Sequence, residues 1–495
     1  MKPTENGHSK VAESSVPSLK VRTARTLKWN GIDRICTQIL YAATGIVLAN
    51  VLSKDDFGLV GVILIFQAFA TIFVDSGFGA ALLQKKHPDE RDYSTVFWFN
   101  AAMCTLLYAV LFVCAPLIAR LFHNDLRLIP LSRVMFLSFI INGLGIVQTN
   151  RLMKAMNVKQ IAVANIIGLT VSGATGIWLA LHGAGAWALV WQTITLAVIK
   201  TGWLWLTGDW TPSLVFSMKS LKSICRVGAG VFASSLLNTI FLNVYNFVIG
   251  LWYSLASLGD YTQADKWSKM GSASLSQILT ATFVPLLSQF QDDGAKYREM
   301  MKKVNRLTAF MLFPFMGGLI VMAAPIFHTL FGHKWDSAIL LFQLLVGRGI
   351  FTVLCSLYGN YLLSLGYARS LVYTEIVKDA TTIAAIALTV CFHSIDIIVW
   401  GQLAAGILTY IFVLALTVRA TGYRPADFIS GMLPYLALSA AAMLVCWGES
   451  AMITSAPLLL GVQCATGLFI YLGVLKLCRD RVLTEARNYL SKRTK

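Results

Sequence analysis

Residues 57–91 read FGLVGVILIFQAFATIFVDSGFGAALLQKKHPDER. The run from Phe57 to Leu83 is almost wholly apolar, and it ends on Lys85, Lys86 and Arg91. A helix rises 1.5 Å per residue, so ~20 apolar residues cross a hydrocarbon core about 30 Å thick. The same unit, an apolar run closed by a gap, repeats along the chain. Fourteen such runs lie at 31–52, 57–83, 95–119, 128–148, 160–181, 184–206, 227–256, 268–290, 307–330, 337–364, 370–392, 396–418, 427–447 and 452–475.

Cations fill alternate gaps. With the N-terminus inside, the inner segments hold thirty-one lysines and arginines. The outer gaps hold five: Lys54, Arg120, Arg127, Lys266 and Lys334. The positive-inside rule then places both termini in the cytoplasm. Composition agrees. The 495 residues are 56% hydrophobic and 13% charged, where a soluble domain carries about 25% charge. An all-α polytopic membrane protein is the class that fits. The +17 net charge does not indicate nucleic acid, because the cations are scattered over short loops at helix ends, where they set topology and meet lipid headgroups.

Nine cysteines are present, most inside apolar runs, with no CxxC and no Cys/His ligand cluster. They read as small hydrophobic residues, so neither a disulfide framework, a metal site nor a cofactor is expected. Residues 1–28 are polar and lack an apolar h-region, which argues against a cleaved signal peptide. Within them, 1–17 read as a mobile tail; 18–29 either lie on the inner membrane surface or lead into the first span.

The outer loops are short, the largest at 120–127 and 257–267. No soluble domain fits in any gap, so the chemistry must lie in the membrane or at its edges. The 207–226 stretch is the best linker, following six spans and preceding eight. An internal echo supports division there. Asn150, Leu152 and Lys159 match Asn360, Leu362 and Arg369 at an offset of 210, which also carries Gln192 to Gln402. Phe57-Gly58-Leu59 resembles Leu258-Gly259-Asp260-Tyr261, and Ala81-Leu82-Leu83-Gln84 resembles Leu286-Leu287-Ser288-Gln289. Six spans is an even number, so the repeat is parallel. The expected organisation is a cytoplasmic tail (1–28), an N-lobe (29–206), a linker (207–226), a C-lobe (227–418), and two extra spans with a basic tail (419–495).

These turns, the Ala-Leu-Leu-Gln run, the Asn-Arg-Leu-Met-Lys-Ala segment and the six-plus-six-plus-two count resemble the polysaccharide transporters. Those belong to the multidrug/oligosaccharidyl-lipid/polysaccharide exporter superfamily, and the nearest branch is the Wzx-type flippases of the colanic-acid and teichuronic-acid exporter kind. The resemblance implies two lobes around a central cavity. It also implies alternating-access transfer of an undecaprenyl-diphosphate type of lipid-linked oligosaccharide to the outer leaflet of the bacterial inner membrane, for exopolysaccharide or O-antigen-type assembly. The implied partners are that lipid, the surrounding membrane, and the polymerase and export machinery of the same pathway.

Ionisable groups inside spans are costly and invite a functional reading. Arg34, Arg348, Asn243 and Asn246 are candidates to line a substrate cavity; Asp33, Asp75, Glu375 and Asp379 are candidates for a coupling ion. Asp33 and Arg34, adjacent near the start of the first span, point about 100° apart and read either as snorkelling groups or as cavity groups. Arg348 sits mid-span in Gly347-Arg348-Gly349. Its fork suits a diphosphate, and the competing reading is an ion pair with Glu375 or Asp379. Glu375, Lys378 and Asp379 share a helix face and can neutralise one another. Asn243 and Asn246 share a face that suits either sugar hydroxyls or interhelical hydrogen bonds. Lys266 and Lys269 read as outer-edge anchors, and Trp187, Trp191, Trp203, Trp205, Trp252, Trp335 and Trp400 as interface belts. An antiporter for cationic drugs would need an anionic first-lobe cavity, where only Asp75 is a deep acid. A polymerase or glycosyltransferase would need reactive groups on a large aqueous loop, and none exists.

Overall fold

The computed structural model describes residues 19–75, 82, 85–86, 88–291, 293–480 and 482–484. Residues 1–18 of the expected N-terminal tail, the Ala81-Leu82-Leu83-Gln84 run except Leu82, and most of the basic C-terminal tail lie outside these residues, while 19–28 of that tail are helix, the start of α1. All described regular elements are helical. They are α1 (Leu19–Val51), α2 (Lys54–Asp75), α3 (Glu90–Leu121), α4 (Leu128–Met135), α5 (Leu137–Lys154), α6 (Val158–Leu181), α7 (Ala186–Thr207), α8 (Met218–Trp252) and α9 (Leu255–Ser288). There follow α10 (Gly294–Val321), α11 (Ala323–Leu330), α12 (Asp336–Ser364), α13 (Ala368–Thr389), α14 (Ile395–Thr421), α15 (Pro425–Ile429), α16 (Leu433–Glu449) and α17 (Ala456–Leu477).

The chain is a polytopic all-α membrane protein. Eleven of its described helical segments are long and apolar enough to span a bilayer. Three of the fourteen expected spans fall short of that measure. α9 carries Asp260, Asp265, Lys266 and Lys269; α13 carries Arg369, Glu375, Lys378 and Asp379; α16 has 17 residues.

Helix starts follow local chemistry. Asp89 and Asp92 form a capping box on α3. Ser217, Ser254 and Asp293 accept from the backbone N–H three residues on, in α8, α9 and α10. Such caps satisfy N–H groups that no helical carbonyl reaches. The Ser254 cap corrects one expectation. Residues 257–267 are helix, not an outer loop, and α9 begins about three and a half turns earlier than its apolar composition suggests.

α1 packs on α6, α6 on α7, α2 on α9, α9 on α12, α12 on α14, and α10 on α16. The 208–217 segment is strapped down: Gln148 Nε2 donates to the Trp210 carbonyl at 2.7 Å, and Trp98 Nε1 to that of Ser213 at 2.9 Å.

The end of the bundle opposite the start of α1, here the far end, is closed. Gly58 and Gly259, the echoing glycines, lie at the crossing of α2 and α9. A Cβ on Gly58 would collide with the Leu255 carbonyl, and one on Gly259 with the Lys54 carbonyl. Only glycine permits that approach. Lys54 Nζ pairs with Asp260 at 3.0 Å and also reaches Ser337, which donates to Asp260 at 2.7 Å. Lys334 Nζ donates to the carbonyls of Asn50 and Leu52, both at 2.7 Å. Trp335 Nε1 donates to that of Ala49 at 3.0 Å. These are the carbonyls a helix C-terminus leaves free, and a cation there also meets the negative end of the helix dipole. Trp335 is 1% exposed, so it is a latch residue and not part of an interface belt. Toward the other end, α2 and α8 meet through the apolar edge contact of Phe73 and Phe232.

Candidate functional site

Among the described residues, two cavities carry polar groups in their walls. The first, of about 180 Å³, is bounded by α8, α12, α13 and α14. Arg348 stands in its wall with Tyr245, Thr352, Lys378, Thr382 and Thr409. Arg348 Nη1 donates to Gln402 Oε1 at 2.7 Å, and Gln402 Nε2 donates to Tyr261 Oη at 2.9 Å. Gln402 and Tyr261 are each 2% exposed, so the guanidinium is held by a buried relay anchored on α9. Gly406 makes room for its stem, since a Cβ there would lie 3.4 Å from Arg348 Cγ. Among the described residues no carboxylate lies within ion-pair distance of Arg348. The alternative of an ion pair with Glu375 or Asp379 is therefore replaced by a neutral amide partner, which leaves the positive charge uncompensated.

The remaining candidates disperse. Glu375 pairs with Lys378 and is exposed. Asp379 holds Oδ1 buried without a hydrogen-bond partner. Asn243 donates to the Thr239 carbonyl of its own helix at 2.9 Å, and Asn246 Oδ1 is buried without a hydrogen-bond partner. Neither asparagine lines the Arg348 cavity; their neighbour Tyr245 does. Asp33 accepts from Asn165 Nδ2 at 3.2 Å, tying α1 to α6, and Arg34 is exposed beside it. Asp75 closes α2, and its side chain is outside the described residues.

The second cavity, of about 260 Å³, lies among α1, α2, α6, α7 and α9. Lys266 enters it. Its Nζ stands 4.4 Å from the Tyr41 ring centroid and 5.1 Å from that of Trp267. Gln192, Thr193, Ser172 and Gln263 supply further polar groups. A Cβ on Gly45 would stand 2.6 Å from Lys266 Nζ, so this glycine makes the room the ammonium occupies. Asp265, next in sequence, pairs with Lys269 at 2.6 Å and not with Lys266. The expected outer-edge anchor is thus an inward-facing cation. Eleven residues separate it from the start of α9, or about 16 Å along the axis. The Ser254–Ser257 cap was the sequence signal that places it at this depth. The echoing glutamines take matching stations: Gln192 lines the Lys266 cavity, and Gln402 holds Arg348.

A third cavity, of about 500 Å³, has an almost purely apolar lining that includes Phe310, Phe315, Met322, Met443, Leu468 and Tyr471. It runs between α10, α11, α16 and α17 and suits hydrocarbon.

The sequence profile of a family described as polysaccharide biosynthesis protein matches residues 47–340. The succinoglycan biosynthesis transport protein ExoT of Rhizobium meliloti (strain 1021) is 26% identical over 422 residues, which cover 85% of this chain and 83% of that protein. The teichuronic acid biosynthesis protein TuaB of Bacillus subtilis (strain 168) is 26% identical over 365 residues, covering 73% and 75%. Among solved structures, the lipid II flippase MurJ in an inward closed conformation superposes with a TM-score of 0.74 at 15% identity, covering 91% of this chain and 99% of that one. At that identity the likeness establishes the fold.

Proposed function

The chain belongs to the polysaccharide biosynthesis protein family, and from that premise we propose that it is a flippase. In this reading it carries a polyprenyl-diphosphate-linked oligosaccharide from the inner to the outer leaflet of the bacterial inner membrane, for exopolysaccharide or O-antigen-type assembly. It is a transporter and not a catalyst. The two lobes 29–206 and 227–418 rock about the α2–α9 crossing, with the termini in the cytoplasm. α9 and α13 count as spans because most of their charges are paired or face a cavity.

One observation carries the reading. Among the described residues, Arg348 and Lys266 project into cavities with polar walls and have no carboxylate within ion-pair distance. An uncompensated cation in a low-dielectric site favours an anionic guest, and a diphosphate supplies that charge. The surrounding amides and hydroxyls match sugar hydroxyls, and the apolar cavity beside α17 accommodates part of the prenyl chain. The closed far end corresponds to the state that loads from the cytoplasmic side. The same cations disfavour a drug antiporter of this fold, since a cationic substrate would be repelled.

The test is a deletion strain assayed for lipid-linked repeat units stranded on the cytoplasmic leaflet. Arg348→Ala loses a charge-assisted contact of about 1.5–3 kcal/mol, so translocation falls about ten- to hundredfold, and Arg348→Lys restores part of it. Full restoration by Arg348→Ala at normal protein level removes Arg348 from the substrate path.

A further inference from the structure

Two imidazoles and a carboxylate converge at the far end, beside the latch and outside the three cavities. His328 Nε2 lies 2.9 Å from Asp336 Oδ1, and His333 Nδ1 lies 3.6 Å from Asp336 Oδ2. The two rings lie tilted by 39° with centroids 4.3 Å apart. Their ligand atoms all lie within 4.8 Å of one another. The backbone carrying them is fixed by its neighbours. Gly332 turns the chain at φ 75° into the short 3-10 turn His333–Trp335. Lys334 and Trp335 then bind the end of α1.

We propose that His328, His333 and Asp336 form a binding site for a divalent transition-metal ion, zinc foremost. Imidazole nitrogen and carboxylate oxygen are donors zinc takes at about 2.0–2.2 Å. A tetrahedral set at that radius spaces its donors about 3.3 Å apart. The separations of 2.9 and 3.6 Å, one to each oxygen of the Asp336 carboxylate, lie on either side of that value. Each carboxylate oxygen faces its own imidazole, which suits a shared cation better than a single hydrogen bond. Three protein donors leave a fourth position for water. Calcium or magnesium would require more oxygens than the cluster offers. Cysteine spacing gave no hint of this site, since it contains no cysteine and its residues meet only through the turn at Gly332. A bound ion joins α11 to α12 across the segment that latches α1, and so holds the far end shut. The inference does not depend on the identity of the transported molecule.

The experiment uses the full chain in detergent, purified without a polyhistidine tag and stripped with a chelator. Zinc is titrated by calorimetry, with cobalt(II) absorption reporting the coordination number. One equivalent is expected to bind. His328→Ala, His333→Ala and Asp336→Asn should each weaken binding at least about tenfold, since even indirect ligand partners contribute that much. The His333 side chain is 80% exposed, so its removal leaves the fold intact, and a monodisperse elution profile checks this. His393→Ala, at an exposed histidine outside the cluster, should bind zinc as the parent does. The proposal is overturned if the parent takes up no zinc, if the His328→Ala/His333→Ala double variant keeps full uptake, or if His393→Ala loses as much as His333→Ala.

Discussion

Replacing Gly58 with alanine should open the far end. The added methyl group meets the Leu255 carbonyl, and the Gly259 backbone closes the same crossing from the other side. Both obstacles are main chain, so no rotamer change relieves them, and α2 and α9 must part by about an ångström. A gap of that size forfeits a quarter to a half of each dispersion contact. Overpacking of this kind costs about 1–3 kcal/mol. Alanine also favours helix over glycine by about 1 kcal/mol, but that gain is equal in the far-end-closed and far-end-open states and cancels between them. The closed state alone carries the clash, so the equilibrium should move toward opening by about five- to 150-fold. Thr262 lines the Lys266 cavity beneath the latch. In a background lacking the nine native cysteines, Thr262→Cys should react correspondingly faster with an impermeant maleimide added from the far side. The control is Gly461→Ala in α17, where a Cβ meets nothing within 4 Å; it should leave labelling unchanged and raise the melting temperature slightly. Parental labelling in Gly58→Ala, with a melt like that of Gly461→Ala, would refute the crossing as the closing element.

Lys266→Gln should lower translocation about tenfold or more while the protein stays monodisperse, because a charged contact to the guest is lost without a buried partner being orphaned; normal translocation would take Lys266 out of the path. Trp335→Ala removes a 1% exposed indole and its bond to the Ala49 carbonyl; a loss of about 3–5 kcal/mol should appear as a clearly lowered melting temperature, and an unchanged melt would remove Trp335 from the latch. Asp427, at the start of α15, is held below the usual carboxylate range by hydrogen bonds from Lys302 and Arg298. Its stabilising contribution is therefore present above about pH 4 and lost as acid protonates it. Melting curves of Asp427→Asn should show a flatter acid limb than the parent, and parallel limbs would contradict the pairing.

Much of the fold was legible because membrane insertion is read from composition. Apolar runs of spanning length and alternating cations need no tertiary knowledge, and the helices fall where those runs lie. The misreadings cluster where a span is polar. α9 opens with Asp260, Asp265, Lys266 and Lys269, so hydropathy starts it late and leaves Lys266 in a loop. Arg348 stood out for the opposite reason, as a cation between long apolar flanks. Its partner Gln402 was visible only as an echo of Gln192, since a hydrogen bond between α12 and α14 leaves no mark in either segment alone. The echoing glycines, Gly58 and Gly259, were seen as a repeat, but their meeting could not be.

The linear chain determined that this protein is a bundle of membrane-crossing helices, because burying a backbone in oil demands helices and the cost of moving charge through oil sorts the loops. Which cations are neutralised and which face a cavity was decided only by packing. Asp265 turns to Lys269 and leaves Lys266 to the Tyr41 and Trp267 rings, and Gln402 in place of a carboxylate meets Arg348. Charge compensation depends on distances of a few ångströms between helices far apart in sequence, and only the assembled bundle sets those distances.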